Sequence, residues 1–145
     1  MAVLKTQAGS TEQSLLTFNS LANNANTLSG AITVTDASYL FADLTCAVKF
    51  VTTNPTVGTG ISVWFLRSTD GGTTYEDGDA TPTTPSRAPD VVFPVRAVTT
   101  AQRIIRQVAL PSGTFKILLR NDNTGTNCDS ASNALTMKAF TIQSV

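Results

Sequence analysis

The chain has 145 residues and a formal net charge of zero, and it is long enough for one domain with its own core. Hydrophobic residues make up 41% and charged residues only 14%, which excludes a disordered or strongly charged chain. Nucleic-acid-binding domains are usually basic, and no apolar run approaches the ~20 residues that span a bilayer. The N-terminus also lacks the apolar core of a signal peptide. We therefore expect synthesis in a cytoplasm, with neither nucleic acid nor a membrane as partner.

The first segments of the chain show little periodicity. Residues 1–12 are mostly small and polar, and we expect an N-terminal arm or lead-in there. The stretch from Ser14 to Leu28 has apolar residues at mixed spacings, so it is predicted to be irregular or a short strand. Ala31–Thr35 is predicted to be a short strand. Residues 13–145 are therefore assigned to one domain that follows the arm.

Two central segments carry the clearest strand patterns. Between Tyr39 and Val51, apolar residues alternate along the chain, and one face holds Leu40, Ala42, Leu44, Cys46, Val48 and Phe50. That period of two predicts a long, half-buried strand. Gly60–Ser68 is apolar on both faces, which predicts a central strand in a sheet that is covered on both sides.

Four later segments complete the predicted sheets: Val91–Arg96, Gln102–Leu110, Thr114–Asn121 and Ala134–Gln143. Short runs rich in Gly, Pro, Asn and Thr separate them and supply turns. Seven or eight strands without a convincing long helix predict an all-β fold, an antiparallel β-sandwich or jelly roll in a single domain.

The chain has two cysteines, Cys46 on the apolar face of a predicted strand and Cys128 in a loop rich in Asn and Asp. In a cytosolic protein we expect two free thiols, one of them buried. The alternative is a disulfide, which requires the two Cα atoms to lie within about 7 Å of each other.

A turn after the central strand, from Ser68 to Tyr75, resembles the Asp-box turn Ser-x-Asp-x-Gly-x-Thr-Trp, with tyrosine in place of tryptophan. We expect a structural brace for a hairpin, in which an acid bonds backbone N–H groups, glycine takes a positive φ and the aromatic ring packs on the strand. The brace residues are Ser68, Asp70, Gly72, Thr74 and Tyr75. The alternative is sugar chemistry, as in sialidase-like propellers, but a single copy leaves no room for a propeller.

Metal binding and catalysis have little support in the residues. Asp70, Glu76, Asp77 and Asp79 form an acidic cluster that offers oxygen ligands for Ca²⁺, although their spacing does not match an EF-hand. We interpret the cluster as a solvated loop and expect no metal and no cofactor. The chain contains no histidine, so the commonest general base is missing. We therefore expect no enzyme activity.

Charge is unevenly distributed along the second half of the chain. Between Ser68 and Val95 five acids accompany one base, whereas the segment from Arg96 to Arg120 holds five bases and no acid. One interpretation is a solvated basic sheet face plus a solvated acidic loop. The other is a surface with complementary poles that docks onto copies of itself or onto a lattice. The contact residues of that hypothesis are Glu76, Asp77, Asp79, Arg87, Arg96, Arg103, Arg106, Lys116 and Arg120.

Several pieces of the chain, taken in order, carry a family resemblance. They are Leu21–Ala25, Leu28–Ile32, Tyr39–Leu44, Val63–Gly72, Tyr75–Gly78, Phe93–Arg96, Leu110–Lys116 and Arg120-Asn121. Their order and spacing, over most of residues 15–142, are similar to those of small virion proteins of tailed bacteriophages. The resemblance implies a β-sandwich structural protein of a phage particle, without catalysis. Residues 1–12 do not match the pattern.

The resemblance leaves two functions open. The first is a capsid decoration (cement) protein, assembled into the virion in the host cytoplasm. Its partners would be the major capsid protein and copies of itself, as a homotrimer or another homo-oligomer. The second is a tail or fibre-associated module for adhesion or carbohydrate binding. Nearly all aromatic residues fit core positions, and only Tyr75 lies in a loop where it could contact a sugar. We therefore favour the decoration protein.

Overall fold

Every regular element in the described part of the chain is a β-strand. The computed structural model describes residues 5–77, 79 and 81–144. Its ten strands, in chain order from β1 to β10, are Lys5–Gly9, Gln13–Thr17, Asn26–Leu28, Ile32–Thr33, Phe41–Val48, Gly60–Arg67, Val91–Pro94, Gln102–Ala109, Thr114–Asp122 and Ala134–Ser144. A search of the same residues finds no helix of the length and apolarity that crossing a membrane requires.

The strands form two five-stranded antiparallel sheets. In the first, the order is β1-β10-β5-β8, and β2 also pairs with β10. In the second, the order is β3-β9-β6-β7, and β4 also pairs with β9. The prediction of a single-domain antiparallel β-sandwich is confirmed. The structure has ten strands rather than seven or eight because several short strands, of two to five residues, are too brief to show a period.

The core lies between the two sheets, where the alternation predicted for β5 is confirmed. Leu44, Cys46 and Val48 on this strand have no exposed surface, and Phe50 just beyond it is almost as deeply buried. Leu40, which was predicted to share that face, lies before the strand begins and is 59% exposed. The strand begins at Phe41, and although the Leu40 carbonyl accepts a hydrogen bond from the Leu110 amide, the Leu40 side chain is not part of the core.

Strand β6 is buried on both faces, as its sequence predicted. Ile61, Val63 and Phe65 face the main core. Trp64 and Leu66 point outward, where they form a second, smaller apolar cluster with Leu118, Leu28 and Tyr75. A sheet face that carries such a cluster needs a cover. The cover comes from the described residues of the segment between β6 and β7, which are 68–77, 79 and 81–90 and which we call the β6–β7 loop.

The N-terminal boundary differs from the one expected. Residues 5–9, assigned above to an arm, pair in register with β10 from Lys5 opposite Ser144 to Gly9 opposite Phe140. Gly9 fits because a Cβ at that position would lie 2.4 Å from the backbone oxygen of Ala139. The polar composition of this segment does not predict a strand, because the segment is held extended by its pairing with β10. Residues 1–4 of the predicted arm lie outside the described residues.

Both cysteines are free and buried, so the two thiols were predicted correctly, whereas the expectation that only one is buried was wrong. Cys128 lies in the loop predicted for it, but it forms an isolated antiparallel bridge with Phe50 that draws it into the core. Desolvation raises the pKa of both thiols, that of Cys128 to about 12.

Candidate functional site

The predicted brace residues lie together in one compact turn after β6. The Asp70 carboxylate accepts hydrogen bonds from the Thr73 amide, the Thr74 amide and the Thr74 hydroxyl, at 2.7–3.1 Å. The Ser68 hydroxyl donates to the same carboxylate and accepts a bond from the Gly72 amide. These donors stabilise the charged form and lower the pKa of Asp70 well below its usual value,. The carboxylate is therefore fully used inside the turn.

Glycine is needed at the back of this turn. Gly72 has a φ of +96°, which a residue with a side chain rarely adopts. A Cβ there would also lie 3.1 Å from the Tyr75 hydroxyl and 3.2 Å from Cγ2 of Thr114. The turn therefore lies close against Thr114, the first residue of β9.

Tyr75 is half-buried and packs on the outer apolar cluster of β6. The Lys116 ammonium lies 4.3 Å from the centre of its ring, within the range of a cation–π interaction. The same ammonium donates a short hydrogen bond to the Asp79 carboxylate. Tyr75, Lys116 and Asp79 thus connect the turn, β9 and the β6–β7 loop.

Arg87 fastens the far end of the β6–β7 loop. Its guanidinium donates to the Asp90 carboxylate at 2.8 Å, to the Glu76 carboxylate at 3.0 Å and to the backbone carbonyl of Phe65 at 2.8 Å. Its own backbone carbonyl accepts a hydrogen bond from the indole N–H of Trp64 at 3.0 Å. Arg87 therefore ties the loop to both the edge and the outer face of β6.

This fastening completes the sheet where β7 is too short. Strand β7 pairs with β6 only from Gly60 to Val63. Beyond that point the Phe65 amide donates to the Asp90 side chain, and the Phe65 carbonyl accepts from Arg87. The Glu76 amide then donates to the Arg67 carbonyl. Side chains and loop backbone thus satisfy the edge groups that a longer strand would pair with.

The middle of the loop is attached to the β3–β9 side of the same sheet. The Arg120 guanidinium donates to the Thr84 hydroxyl at 2.6 Å and to Asp122 at 3.2 Å. The Asn26 amide group donates to the Pro82 carbonyl at 3.0 Å. The β6–β7 loop is therefore bound at its start, middle and end.

The structure divides the nine predicted contact residues into a group of five, a group of three and Asp77, which belongs to neither group. Five of them hold the β6–β7 loop on its own sheet: Glu76, Asp79, Arg87, Lys116 and Arg120. Asp77 is exposed on the loop. Much of the predicted charge complementarity is therefore satisfied by contacts between residues of the same chain. Asp90 and Trp64 also hold the loop, and neither was among the predicted contact residues.

The second group consists of Arg96, Arg103 and Arg106, which we call the arginine edge because they lie along β8 and the loop before it. All three side chains are exposed. Among the described residues the nearest carboxylate contact is that of Glu12, whose Oε1 lies 4.0 Å from Nη2 of Arg103. Gln102 holds the neighbouring backbone by bonding the amide and the carbonyl of Arg96. Arg103 and Arg106 are three positions apart, so they project to opposite faces of β8, and together with Arg96 they give this edge of the sandwich exposed positive charge.

A cleft of about 350 Å³ lies at the β4–β5 end of the sandwich, next to Asp36 and Tyr39. The Asp36 carboxylate is hydrogen-bonded by Ser38, which lowers its pKa. The described residues contain no group of three or more Cys, Asp or Glu side chains that is arranged to hold a metal ion.

Comparison with known proteins gives no family: no protein-family model matches the chain, and no curated protein matches it.

Proposed function

We propose that the protein is a structural component of a phage virion, and specifically a decoration protein that binds the capsid and stabilises the head. The ordered sequence pieces that resemble tailed-phage virion proteins carry this proposal. Its partners are the major capsid protein and further copies of the chain, assembled in the host cytoplasm.

The arginine edge is the surface we assign to the capsid. Exposed arginines with little internal pairing make bidentate contacts with carboxylates of a partner. Each contact of this kind is weak in water, but many copies on one lattice add their contacts to the stability of the shell. The partner surface would be acidic.

We do not favour the alternative function in adhesion or carbohydrate binding. Tyr75 was the loop aromatic that could stack on a sugar, but its ring is half-buried and faces the Lys116 ammonium at 4.3 Å. A stacking platform needs an open ring face. We therefore propose no sugar site.

The copy number per particle tests the proposal. A decoration protein should be present on the order of hundreds of copies on an icosahedral head, whereas a tail or portal component should be present in roughly six or twelve. Quantitative gel densitometry of purified virions measures this number. A low copy number, or absence from the particle, would refute a role in capsid decoration.

Charge reversal tests the assigned surface. We expect Arg103→Glu together with Arg106→Glu to reduce binding to heads at least tenfold at moderate salt, because two attractive contacts become repulsive. Arg67→Glu is the control for a single reversal, since Arg67 is exposed on the other sheet. Co-sedimentation with heads that lack the protein gives the readout. Normal binding of the double variant would exclude the arginine edge as the docking surface.

A further inference from the structure

Strand β8 is the longest edge strand in the described residues, and no strand pairs with its outer side. It has eight residues and pairs only with β5. The other edge strands are shorter: β1 and β2 have five residues each, β7 has four and ends at Pro94, and β3 and β4 have three and two. Proline, shortness, covering loops and charged side chains are the usual protections of an edge, and β8 has only the last of these, in Arg103 and Arg106. The sequence of β8 contains neither proline nor glycine.

The backbone of β8 presents unpaired groups to the outside. The Leu110 amide donates to the Leu40 carbonyl, and the direction of backbone groups alternates along a strand. The amides and carbonyls of Arg103, Ile105, Gln107 and Ala109 therefore point away from β5. No described residue forms a hydrogen bond with these backbone groups. An added strand would find a row of free donors and acceptors.

The side chains of this edge complement a second copy of themselves. In an antiparallel pair related by a two-fold axis through Ile105, this residue lies opposite its own counterpart, and Arg103 lies opposite Gln107. Ile105 is 55% exposed, so the pairing would cover an apolar side chain at its centre. No arginine lies directly opposite another arginine, so the closest like-charge contact between the strands does not arise, although the arginines remain near each other across the axis.

We infer that two copies of the chain associate through β8 in this register, which joins their first sheets into one continuous sheet. Three hydrogen-bonded residue pairs would add about six backbone bonds. The contact area is small, so the dimer is weak, with a dissociation constant on the order of 10–1000 µM. This inference does not rest on the proposed virion role, and it is testable on the isolated protein.

The first test is the oligomeric state. Sedimentation equilibrium should show a monomer–dimer equilibrium that is weaker at low ionic strength, where the four arginines near the two-fold axis repel each other more. Gln107→Pro should give a monomer, because it removes an amide that points outward and none from the ladder with β5. Val92→Lys, at a partly exposed apolar site on β7, is a control that should leave the dimer intact. A wild-type chain that stays monomeric at about 1 mM would overturn the inference.

The second test fixes the register and covers the case in which Gln107→Pro does not fold. Ile105→Cys should cross-link into a disulfide dimer under mild oxidation, because the two-fold axis brings the two positions together. The native cysteines are buried and should not compete. Val57→Cys, at a site that is 81% exposed in the loop between β5 and β6, is the control for cross-linking by random collision. Equal cross-linking of the two variants would contradict pairing through β8.

Discussion

Replacing Arg87 by methionine tests whether the β6–β7 loop is held on the sandwich by one side chain. Methionine keeps most of the apolar stem and removes the guanidinium with its three acceptors: Glu76, Asp90 and the Phe65 carbonyl. The two ion pairs are partly exposed, with 38% of the Arg87 side chain accessible, so each contributes only about 0.5 kcal/mol. The bond to the Phe65 carbonyl, at a strand edge, contributes about 1 kcal/mol.

We therefore expect Arg87→Met to lower the free energy of unfolding by about 1–2 kcal/mol. For a chain of this size the melting temperature should fall by roughly 3–8 °C. Arg87→Lys should recover less than half of the loss, because an ammonium cannot bridge two carboxylates and a carbonyl in a fixed plane. Arg67→Met is the matched control, since Arg67 lies on the same strand and is exposed.

The assay is urea unfolding followed by tryptophan fluorescence. Trp64 is the only tryptophan, it is buried beneath the loop, and its indole N–H donates to the carbonyl of Arg87. A loosened loop should shift the native emission to the red as well as moving the midpoint. If Arg87→Met matched the Arg67→Met control in both readouts, the loop would be held by its other contacts and our reasoning about Arg87 would be wrong.

Three further predictions concern the turn, the loop and the core. The pKa of Asp70 is lower in the folded protein than in the unfolded chain. The charged carboxylate therefore stabilises the fold above the unfolded pKa, at about pH 4, and this stabilisation is lost as the pH falls through the folded pKa. The melting temperature of Asp70→Asn should therefore vary less with pH below about pH 4 than that of the wild type. Lys116→Met should cost about 1 kcal/mol in urea unfolding, because it removes the ion pair with Asp79 and the cation–π contact. Cys46 and Cys128 should resist a thiol reagent until the protein unfolds, since burial raises both pKa values; rapid labelling of the native protein would contradict this.

The sequence predicted the long strands well because a buried strand imposes its period on its own residues. The alternation in β5 and the two-sided apolarity of β6 arise from burial on one face and on both faces. Strand β1 could not be predicted in this way, because Lys5–Gly9 gains its extended form from pairing with β10. Its register depends on residues more than a hundred positions away, which the sequence of Lys5–Gly9 does not indicate.

The contact surfaces, too, could be predicted only in part from the sequence. Counting charges along the chain correctly identified an acidic segment and a basic segment, but it could not tell which charges meet inside one molecule. Asp79 lies beside Lys116 because the β6–β7 loop crosses the outer face of β9, which is a property of the fold alone. The loop that was expected to contact neighbours is thereby largely neutralised, and Arg96, Arg103 and Arg106 remain.

The arginine edge has two opposed effects that can be separated by one substitution. Charged side chains on an open strand discourage pairing with other strands, yet the same charges are what an acidic capsid surface would bind. Arg106→Gln should therefore strengthen dimerisation at low ionic strength severalfold, since it removes two of the four arginines near the two-fold axis, while it weakens binding to heads. Sedimentation equilibrium and co-sedimentation with heads measure the two effects on one protein. If both affinities changed in the same direction, repulsion between arginines would not limit the pairing of β8.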